Sequence, residues 1–383
     1  MTNTSVYLDY QATTPVDSKV LEEMMPFFRE KFGNPSSQGH AFGWAAQGAV
    51  EKSRGRIARA ISCAPKNIIF TSGGTESNTW VIQSVAKSSA PNAHFITSSV
   101  EHPSVLKNYA ELSKSGYQVT ILEVDKYGMV SPETLDKAIK PETRLVSLIF
   151  GNNEIGTINP ISTLGTICRK KNILFHSDAV QALGKLSVDV SKLNIDALSF
   201  SAHKIYGPKG CGAVYFSDKL LSDINPIIIG GGQECGLRSG TLNVPGIVGF
   251  GAAVEVAYSQ LEHEVQHYLD MSHQFYQRLV KAIPGIKLNG HLTERLPNNL
   301  NIQIPNLTSG AIIAAAESIA VSAGSACSSS NSSISHVLKG IGLSDEEGKS
   351  SMRISFGRFT TENDIEQAAD CLIDTIRKLR NEK

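Results

Sequence analysis

A lysine at the end of an apolar, strand-like run is the residue of this chain best placed to do chemistry. The run 196–200 leads into Ser201-Ala202-His203-Lys204, and Gly207-Pro208 ends the segment. An amine held where a strand breaks into a turn can lie at the bottom of a pocket and form a Schiff base with a carbonyl compound. The neighbouring hydroxyl and imidazole could bind an anion there. A basic surface turn is the alternative, and this segment alone does not exclude it.

Four other polar segments follow predicted strands or open helices: Ser72-Gly73-Gly74-Thr75-Glu76, Ser99-Val100-Glu101-His102-Pro103, Gly151-Asn152-Asn153-Glu154-Ile155-Gly156 and His176-Ser177-Asp178-Ala179-Val180-Gln181. Free amides at a helix start, beside the Thr75 hydroxyl, could hold a phosphate, although Thr75 could simply cap the helix. His102 could stack on an aromatic ring or carry protons, although a lone loop histidine is more often structural. Asp178 could cap a helix or pair with a protonated ring nitrogen.

These segments together suit one ligand. An anion cradle, an aromatic stacking partner, amides, a carboxylate and a lysine are what pyridoxal 5′-phosphate requires of a protein. The sequence therefore favours this cofactor, although each segment alone has an ordinary structural explanation.

The elements that would position these residues alternate along the chain. Helices are predicted over 17–31 and 42–61. Apolar strands then alternate with amphipathic helices, with predicted strands at 68–71, 94–97, 117–122, 144–149, 173–176 and 196–200. Such alternation predicts a mostly parallel sheet covered on both faces by helices, with ligands beyond the carboxyl ends of the strands. A long helical segment over 245–280 is expected to lead to a smaller unit with strands at 299–304 and 352–356.

Composition excludes several classes of function. The 383 residues carry 36 basic and 36 acidic side chains, so the net charge is zero, which argues against direct binding of nucleic acid or membrane surfaces. The start of the chain lacks the pattern of a signal peptide, and no apolar run is long enough to span a bilayer. The six cysteines are far apart and form no C-x-x-C pair, so neither a disulfide framework nor a structural zinc site is expected. We expect a cytoplasmic protein.

One short motif, His263-Glu264-Val265-Gln266-His267, matches a zinc-binding pattern. The predicted apolar stripe of this helix runs through Leu261, Val265 and Leu269, and both histidines lie off it. We interpret the motif as a solvated helix face and expect no metal.

The combined motifs resemble those of the cysteine desulfurases of the NifS/IscS type, within the class V aminotransferase group of fold-type I pyridoxal-phosphate enzymes. The resemblance covers nearly the whole chain, and its most specific motifs are Gly33-Asn34-Pro35-Ser36-Ser37, Asn152-Asn153-Glu154-Ile155-Gly156, Ser201-Ala202-His203-Lys204 and Gly230-Gly231-Gly232-Gln233-Glu234. It implies an α/β fold. A large three-layer αβα domain with a mostly parallel sheet would span residues 14–257. A smaller α+β domain, residues 1–13 and 258–383, would carry the catalytic cysteine loop.

The resemblance also implies which residues hold the cofactor: Gly74, Thr75, His102, Asn153, Asp178, Gln181, Ser201, His203, Lys204 and Thr241. Lys204 would bond to the cofactor covalently, Asp178 would keep the pyridine nitrogen protonated, and Gln181 would bond the ring hydroxyl. His102 would stack on the ring and shuttle protons. Gly74, Thr75, Ser201 and His203 would hold the phosphate. Thr241 would reach the phosphate of the partner subunit, which implies a homodimer.

At the sulfur end of the site, the resemblance singles out Cys327, in a segment of small residues, as a catalytic residue beside Lys204 and His102. Arg353 lies between apolar neighbours of a predicted strand, so it faces the opposite side and could hold a substrate carboxylate through two N–H donors. Arg358 is the rival, and the family motif favours Arg353. Asn34, with Asn153, is expected to contact the substrate.

The implied reaction converts L-cysteine to L-alanine and leaves the sulfur on Cys327 as a persulfide for a sulfur-acceptor protein. A selenocysteine lyase or another class V lyase would share the cofactor residues. A non-catalytic scaffold is a further alternative, which the intact Lys204 and Cys327 disfavour.

Two departures from the family pattern leave questions open. Relatives usually carry a basic residue where this chain has Cys235, and this change is either neutral or places a second thiol near the site. Housekeeping relatives commonly continue beyond 377–380 with a tail that docks an iron–sulfur scaffold. The acceptor could therefore serve iron–sulfur assembly, nitrogenase clusters, tRNA thiolation or DNA sulfur modification.

Overall fold

The computed structural model describes residues 5–324 and 334–381, so the predicted catalytic Cys327 lies outside the described residues. Within those ranges the strands are β1 Val6–Tyr7, β2 Ile68–Thr71, β3 His94–Ser98, β4 Gln118–Leu122, β5 Thr143–Ser147, β6 Leu174–Asp178, β7 Ala197–Ser201, β8 Gly212–Phe216, β9 Lys287–Leu288, β10 Asn299–Gln303, β11 Ile319–Ala320 and β12 Ser351–Ser355. The helices there are α1 Ser18–Met24, α2 Pro26–Arg29, α3 Ala41–Ala60, α4 Gly74–Lys87, α5 Pro103–Lys114, α6 Pro132–Ala138, α7 Ile161–Lys170, α8 Val190–Leu193, α9 Asp218–Leu221, α10 Val244–Ser259, α11 Leu261–Ala282, α12 Ser309–Ala315, α13 His336–Gly340, α14 Asp345–Lys349 and α15 Glu362–Asn381.

The larger sheet has seven strands in the order β2-β8-β7-β6-β5-β3-β4. Strands β4, β3, β5, β6 and β7 are parallel, whereas β8 is antiparallel to both of its neighbours, β7 and β2. Strand β2 therefore points the same way as β7, and six of the strands end at one edge. The predicted mostly parallel sheet is confirmed. The sequence pattern predicts no strand at β8, because β8 is buried along its whole length and lacks the alternating polar pattern of a half-exposed strand.

The strands of this sheet supply side chains to two separate apolar cores, one on each face. In β2, Ile68 and Phe70 join the core that contains Val50 of α3, whereas Ile69 joins the core that contains Trp80 of α4. Successive strand residues point to opposite faces, so an uninterrupted apolar strand requires helices on both sides. The three-layer arrangement follows directly.

A smaller unit surrounds a second, antiparallel sheet. Its strands lie in the order β12-β10-β9, and β1 pairs with β11 next to it. Val6 and Leu8, from the beginning of the chain, share one apolar core with Phe275 of α11 and Leu372 of α15. This shared core supports grouping residues 1–13 with 258–383, and the boundaries themselves stay a prediction.

Two predicted helices are each broken in two. The helix expected over 17–31 ends at Met24, and a second short helix begins at Pro26, because proline has no N–H to continue the hydrogen-bond ladder. The segment expected over 245–280 is divided at Gln260, whose ψ of 12° is not helical.

The buried face of α11 also differs from the prediction. Glu264 is 3% exposed and bonds Arg358 and Tyr268, whereas Leu269, expected in the apolar stripe, is exposed. An acidic side chain is buried here because it neutralises the partly buried Arg358. Among residues 5–324 and 334–381, no three side chains form a metal-binding group. No helix in the described part of the chain combines the length and apolar character that crossing a bilayer requires.

Candidate active site

A cavity of about 230 Å³ lies at the edge of the larger sheet where β2, β3, β5, β6 and β7 end. Ten of the predicted site residues line it: Gly74, Thr75, His102, Asn153, Asp178, Gln181, Ser201, His203, Lys204 and Arg353. They come together because strands running in the same direction end at the same edge of the sheet. Asn34 and Thr241 do not line this cavity.

Lys204 lies in a single turn of 3₁₀ helix that directly follows β7. Its Nζ donates to the backbone oxygens of Gln11, at 2.6 Å, and Ala12, at 2.7 Å. Gln11 and Ala12 also line the cavity, so a segment from the beginning of the chain forms one of its walls. The amine is thereby held at the cavity and not in solvent, unlike the surface turn considered as the alternative.

Asp178 is the last residue of β6 and is 5% exposed. Its Oδ2 accepts a hydrogen bond from Asn78 Nδ2 at 2.7 Å, and its Oδ1 accepts one from Val180 N at 3.0 Å. The same Asn78 amide donates to Ser104 Oγ at 2.9 Å. Both carboxylate oxygens are therefore fixed, so Asp178 offers an oriented negative charge to whatever lies in the cavity.

His102 caps the start of α5. Its Nδ1 accepts a hydrogen bond from Ser104 N at 3.1 Å, so this nitrogen carries no proton and Nε2 must carry it in the neutral ring. Burial lowers the pKa of His102, nearby Asp178 opposes this change, and Lys204 and His336 add to it. The imidazole is thus mostly neutral near pH 7.

A second group of cavity-lining residues suits an anion. Helix α4 begins at Gly74, so its first backbone amides have no partner within the helix. A Cβ at Gly74 would lie 2.6 Å from Val180 Cγ2, so a larger residue would push the helix start away from the strand ends. Thr75 and Ser201 add hydroxyl groups, and His203 adds an imidazole. Burial lowers the pKa of His203 to about 4, and nearby lysines act in the same direction.

Arg353 reaches the cavity from the smaller unit. Its strand neighbours Met352 and Ile354 lie in the apolar core, and Arg353 points the other way with 1% exposure. Its Nη2 donates to Asp9 Oδ1 at 2.7 Å and its Nη1 donates to the Asn153 backbone oxygen at 2.8 Å. Arg358 does not line the cavity and is bound to Glu264 and Asp17, away from it.

The side chains present fit pyridoxal 5′-phosphate group by group. A helix start with two hydroxyls suits the phosphate, Asp178 suits the ring nitrogen, Gln181 the ring hydroxyl, and Lys204 the carbonyl carbon. Within the described residues, four cavity-lining side chains have a buried polar atom without a hydrogen-bond partner: Gln11 Nε2, Asn78 Oδ1, Asn153 Oδ1 and Arg353 Nε. Such atoms are costly unless a ligand satisfies them.

The remaining predicted residues lie elsewhere. Asn34 is exposed, and its Oδ1 accepts a hydrogen bond from Ser36 N at 2.9 Å, so its side chain stabilises its own turn. Thr241 is exposed as well. Cys235 is exposed and has a φ of 56°, unusual for a residue other than glycine.

Sequence reasoning missed three residues that matter here: Gln11, Asn78 and Lys185. Asn78 had a signal, because it lies four residues after Gly74 on the same face of α4 and therefore faces the predicted site. Gln11 had none, because its contact with Lys204 joins residues 193 apart. Lys185 lies four residues after Gln181, but a single lysine after a glycine is typical of an exposed turn, so the sequence did not indicate its role.

Comparisons with known proteins agree with this site. The sequence profile of the family Aminotransferase class-V matches residues 6–368, and the chain belongs to that family. The chain is 45% identical over 376 residues to the cysteine desulfurase IscS of Rickettsia typhi, covering 98% of this chain and 92% of that protein. A solved NifS-like protein matches with a TM-score of 0.92 and 37% identity, covering 98% of this chain and 100% of the other. The structure of SspA in complex with cysteine matches with a TM-score of 0.83 and 36% identity, covering 93% and 100%.

Within its family the chain is thus of the cysteine desulfurase type and uses pyridoxal 5′-phosphate. The resemblance drawn from the motifs, the α/β fold class and the cofactor are confirmed.

Proposed function

We propose that the cavity removes the sulfur from L-cysteine, releases L-alanine and passes the sulfur to Cys327 as a persulfide. The observation that carries this proposal is that the Lys204 amine, the Asp178 carboxylate and the Arg353 guanidinium line one cavity. An amine and a guanidinium in the same cavity suit an amino acid substrate, since one end of the substrate reacts while its carboxylate is held. The match to a protein known in complex with cysteine supports that substrate.

Pyridoxal 5′-phosphate supplies an electron sink for the negative charge that develops next to the substrate nitrogen. Asp178 would keep the pyridine nitrogen protonated, so that the ring can accept this charge. Hydrogen bonds from Asn78 and Val180 hold the Asp178 carboxylate in place at the cavity. Lys204 anchors the cofactor and moves the proton at the substrate α carbon. Neutral His102, with its proton on Nε2, carries protons in the same cavity.

Arg353 binds the substrate carboxylate in this proposal. Among the described residues, the hydrogen bonds to Asp9 and Asn153 use two of the five N–H donors of its guanidinium. Its other donors suit a second carboxylate, and a planar guanidinium can hold one through two parallel bonds. This contact would orient the thiol-bearing carbon and would favour substrates that carry an α-carboxylate.

The described end of the cysteine segment supports the role of Cys327. Ser322 pairs with Arg353 through two backbone hydrogen bonds, Arg353 N to Ser322 O at 2.7 Å and Ser322 N to Arg353 O at 3.1 Å. Cys327 follows five residues later in the sequence, and five residues span at most about 18 Å, so the sequence keeps Cys327 within that distance of Ser322. Its thiolate attacks the substrate sulfur, the C–S electron pair stays with carbon, and protonation of that carbon leads to alanine.

The exposed position of Thr241 supports a homodimer in which this residue completes the site of the partner subunit. The persulfide is then passed to a sulfur-acceptor protein, for iron–sulfur clusters or another sulfur-containing product. The molecular mass in solution tests the homodimer. Sulfur transfer to candidate proteins tests the acceptor.

Replacing the proposed sulfur carrier tests the reaction. Cys327→Ser should bind the cofactor and L-cysteine, seen as a change in visible absorbance, but release almost no sulfide in the presence of a reductant. Cys235→Ser is the matched control and should keep normal release. Persulfide transfer by Cys327→Ser at the rate of the unmodified chain would overturn the assignment. Comparing alanine release from cysteine and selenocysteine separates a desulfurase from a selenocysteine lyase.

A further inference from the structure

Lys185 is a lysine inside the protein that the proposed reaction does not use. It is 4% exposed and does not line the cavity. Its Nζ lies 3.3 Å from three oxygens: the backbone oxygen of Gln181, the side-chain Oε1 of Gln181 and the backbone oxygen of Lys204. It therefore joins the turn after β6 to the turn after β7, directly behind two residues of the site.

These contacts belong to a closed ring of hydrogen bonds. Gln181 Nε2 donates to the Gln11 backbone oxygen at 3.0 Å, and Lys204 Nζ donates to the same oxygen at 2.6 Å. Lys185 closes the ring by donating to Gln181 Oε1 and to the Lys204 backbone. The backbone oxygen of Gln11 can only accept, so the ring is satisfied only when Gln181 presents its Nε2 to Gln11 and its Oε1 to Lys185.

The local backbone returns Lys185 toward the site. Gly184 has a φ of +70°, and a Cβ there would lie 2.9 Å from Ile205 Cγ2, so glycine allows this turn to pack against the segment that follows Lys204. Burial lowers the pKa of Lys185 to about 7, Lys204 adds to this, and Glu264 opposes it. A neutral amine keeps two N–H donors, so both protonation states can hold Gln181 Oε1. Burying an amine is unfavourable unless its hydrogen bonds compensate.

We propose that Lys185 is a positioning residue for the cofactor: it orients the Gln181 carboxamide so that Nε2 is the group offered to the ring hydroxyl, and it holds the Lys204 backbone in place. This inference rests on the proposed function only in that Gln181 contacts the cofactor. The reaction itself is not part of the claim.

A double-mutant cycle tests the orientation. Lys185→Met, Gln181→Ala and the double variant are compared with the unmodified chain in the dissociation constant of pyridoxal 5′-phosphate and in the visible absorption maximum of the holoenzyme. At metal sites, loss of a residue that orients a ligand typically weakens binding by about 10- to 100-fold, and we expect the lower end of that range for one carboxamide. We expect Lys185→Met to weaken cofactor binding by about tenfold and to shift the absorption maximum. In the Gln181→Ala background, the same substitution should weaken cofactor binding by less than about twofold.

Lys209→Met is the matched control, because Lys209 is exposed five residues after Lys204, and it should change neither quantity. If Lys185→Met does not fold, Lys185→Leu replaces it in the same cycle. Lys185→Gln keeps an N–H donor and is the rescue variant, so its absorption maximum should match that of the unmodified chain. The inference would be overturned if the Lys185 substitution weakened cofactor binding equally with Gln181 present and with Gln181→Ala, or if it changed binding in neither case. Persulfide formation on Cys327 judges the proposed function separately, so the two can fail independently.

Discussion

Two arginines five residues apart, Arg353 and Arg358, have opposite surroundings. Arg358 donates through Nε to Glu264 and through Nη1 to Asp17, both at 2.6 Å, and its guanidinium lies 4.2 Å from the centre of the Tyr206 ring. Arg353 contacts one carboxylate, that of Asp9, together with a backbone oxygen.

This difference separates a structural arginine from one that binds a ligand. Two carboxylates more than neutralise the Arg358 charge, so a third anion would be repelled, and the cluster instead joins α11, the start of α1 and the segment after β12. One carboxylate only neutralises Arg353, and its position at the cavity leaves it able to attract a second. The Arg353 side chain is 2% exposed and that of Arg358 is 10% exposed, and both are paired, so neither low exposure nor pairing alone identifies the arginine that binds a ligand. The two arginines differ in the number of carboxylates that neutralise them, which is one for Arg353 and two for Arg358.

The largest expected effect follows from removing the cavity arginine. In Arg353→Met, kcat/KM for L-cysteine should fall about a thousandfold, because two charge-assisted hydrogen bonds to the substrate carboxylate are lost. Cysteamine, which is cysteine without the carboxylate, should lose far less. Steady-state alanine or ethylamine formation measures both. A parallel fall for both thiols would mean that Arg353 does not bind the carboxylate.

The second effect concerns the other arginine. Arg358→Met leaves the buried carboxylate of Glu264 without its cation, and breaking such a pair costs about 3 kcal/mol of the free energy of unfolding. Urea denaturation measures this loss. Preference for L-cysteine over cysteamine should stay as in the unmodified chain. If that preference disappeared while stability was unchanged, the roles of the two arginines would have to be exchanged.

A smaller effect, on how stability depends on pH, should distinguish the cavity from the surroundings of Arg358. Burial and neighbouring lysines lower the pKa of His203 in the cavity to about 4. Because the unfolded chain takes up this proton first, the stability that neutral His203 contributes is present above pH 6.5 and is lost as the pH falls toward 4. In cofactor-free protein, His203→Asn should remove roughly 1 kcal/mol of this acid sensitivity, after allowing for partial exposure. Arg358→Met should keep the sensitivity, so equal pH profiles for the two variants would contradict the comparison.

Most of the site could be predicted because its residues follow strands. Asp178 is the last residue of β6 and Lys204 lies in the turn that follows β7, and strands that run in the same direction bring such residues to one edge. The residues that the sequence did not predict depend on contacts between distant parts of the chain. Glu264 belonged to no apolar pattern because its partner Arg358 lies 94 residues away. Gln11 and Lys185 take part through a ring that only the folded chain assembles.

The most direct measurement of the central claim is mass spectrometry of the holoenzyme after a single turnover with L-cysteine. The account predicts one added sulfur atom on the peptide that contains Cys327, together with an equal amount of L-alanine, and no such product from Arg353→Met on the same time scale. Sulfur added to Cys235 or another cysteine, or alanine formed without sulfur on Cys327, would contradict it.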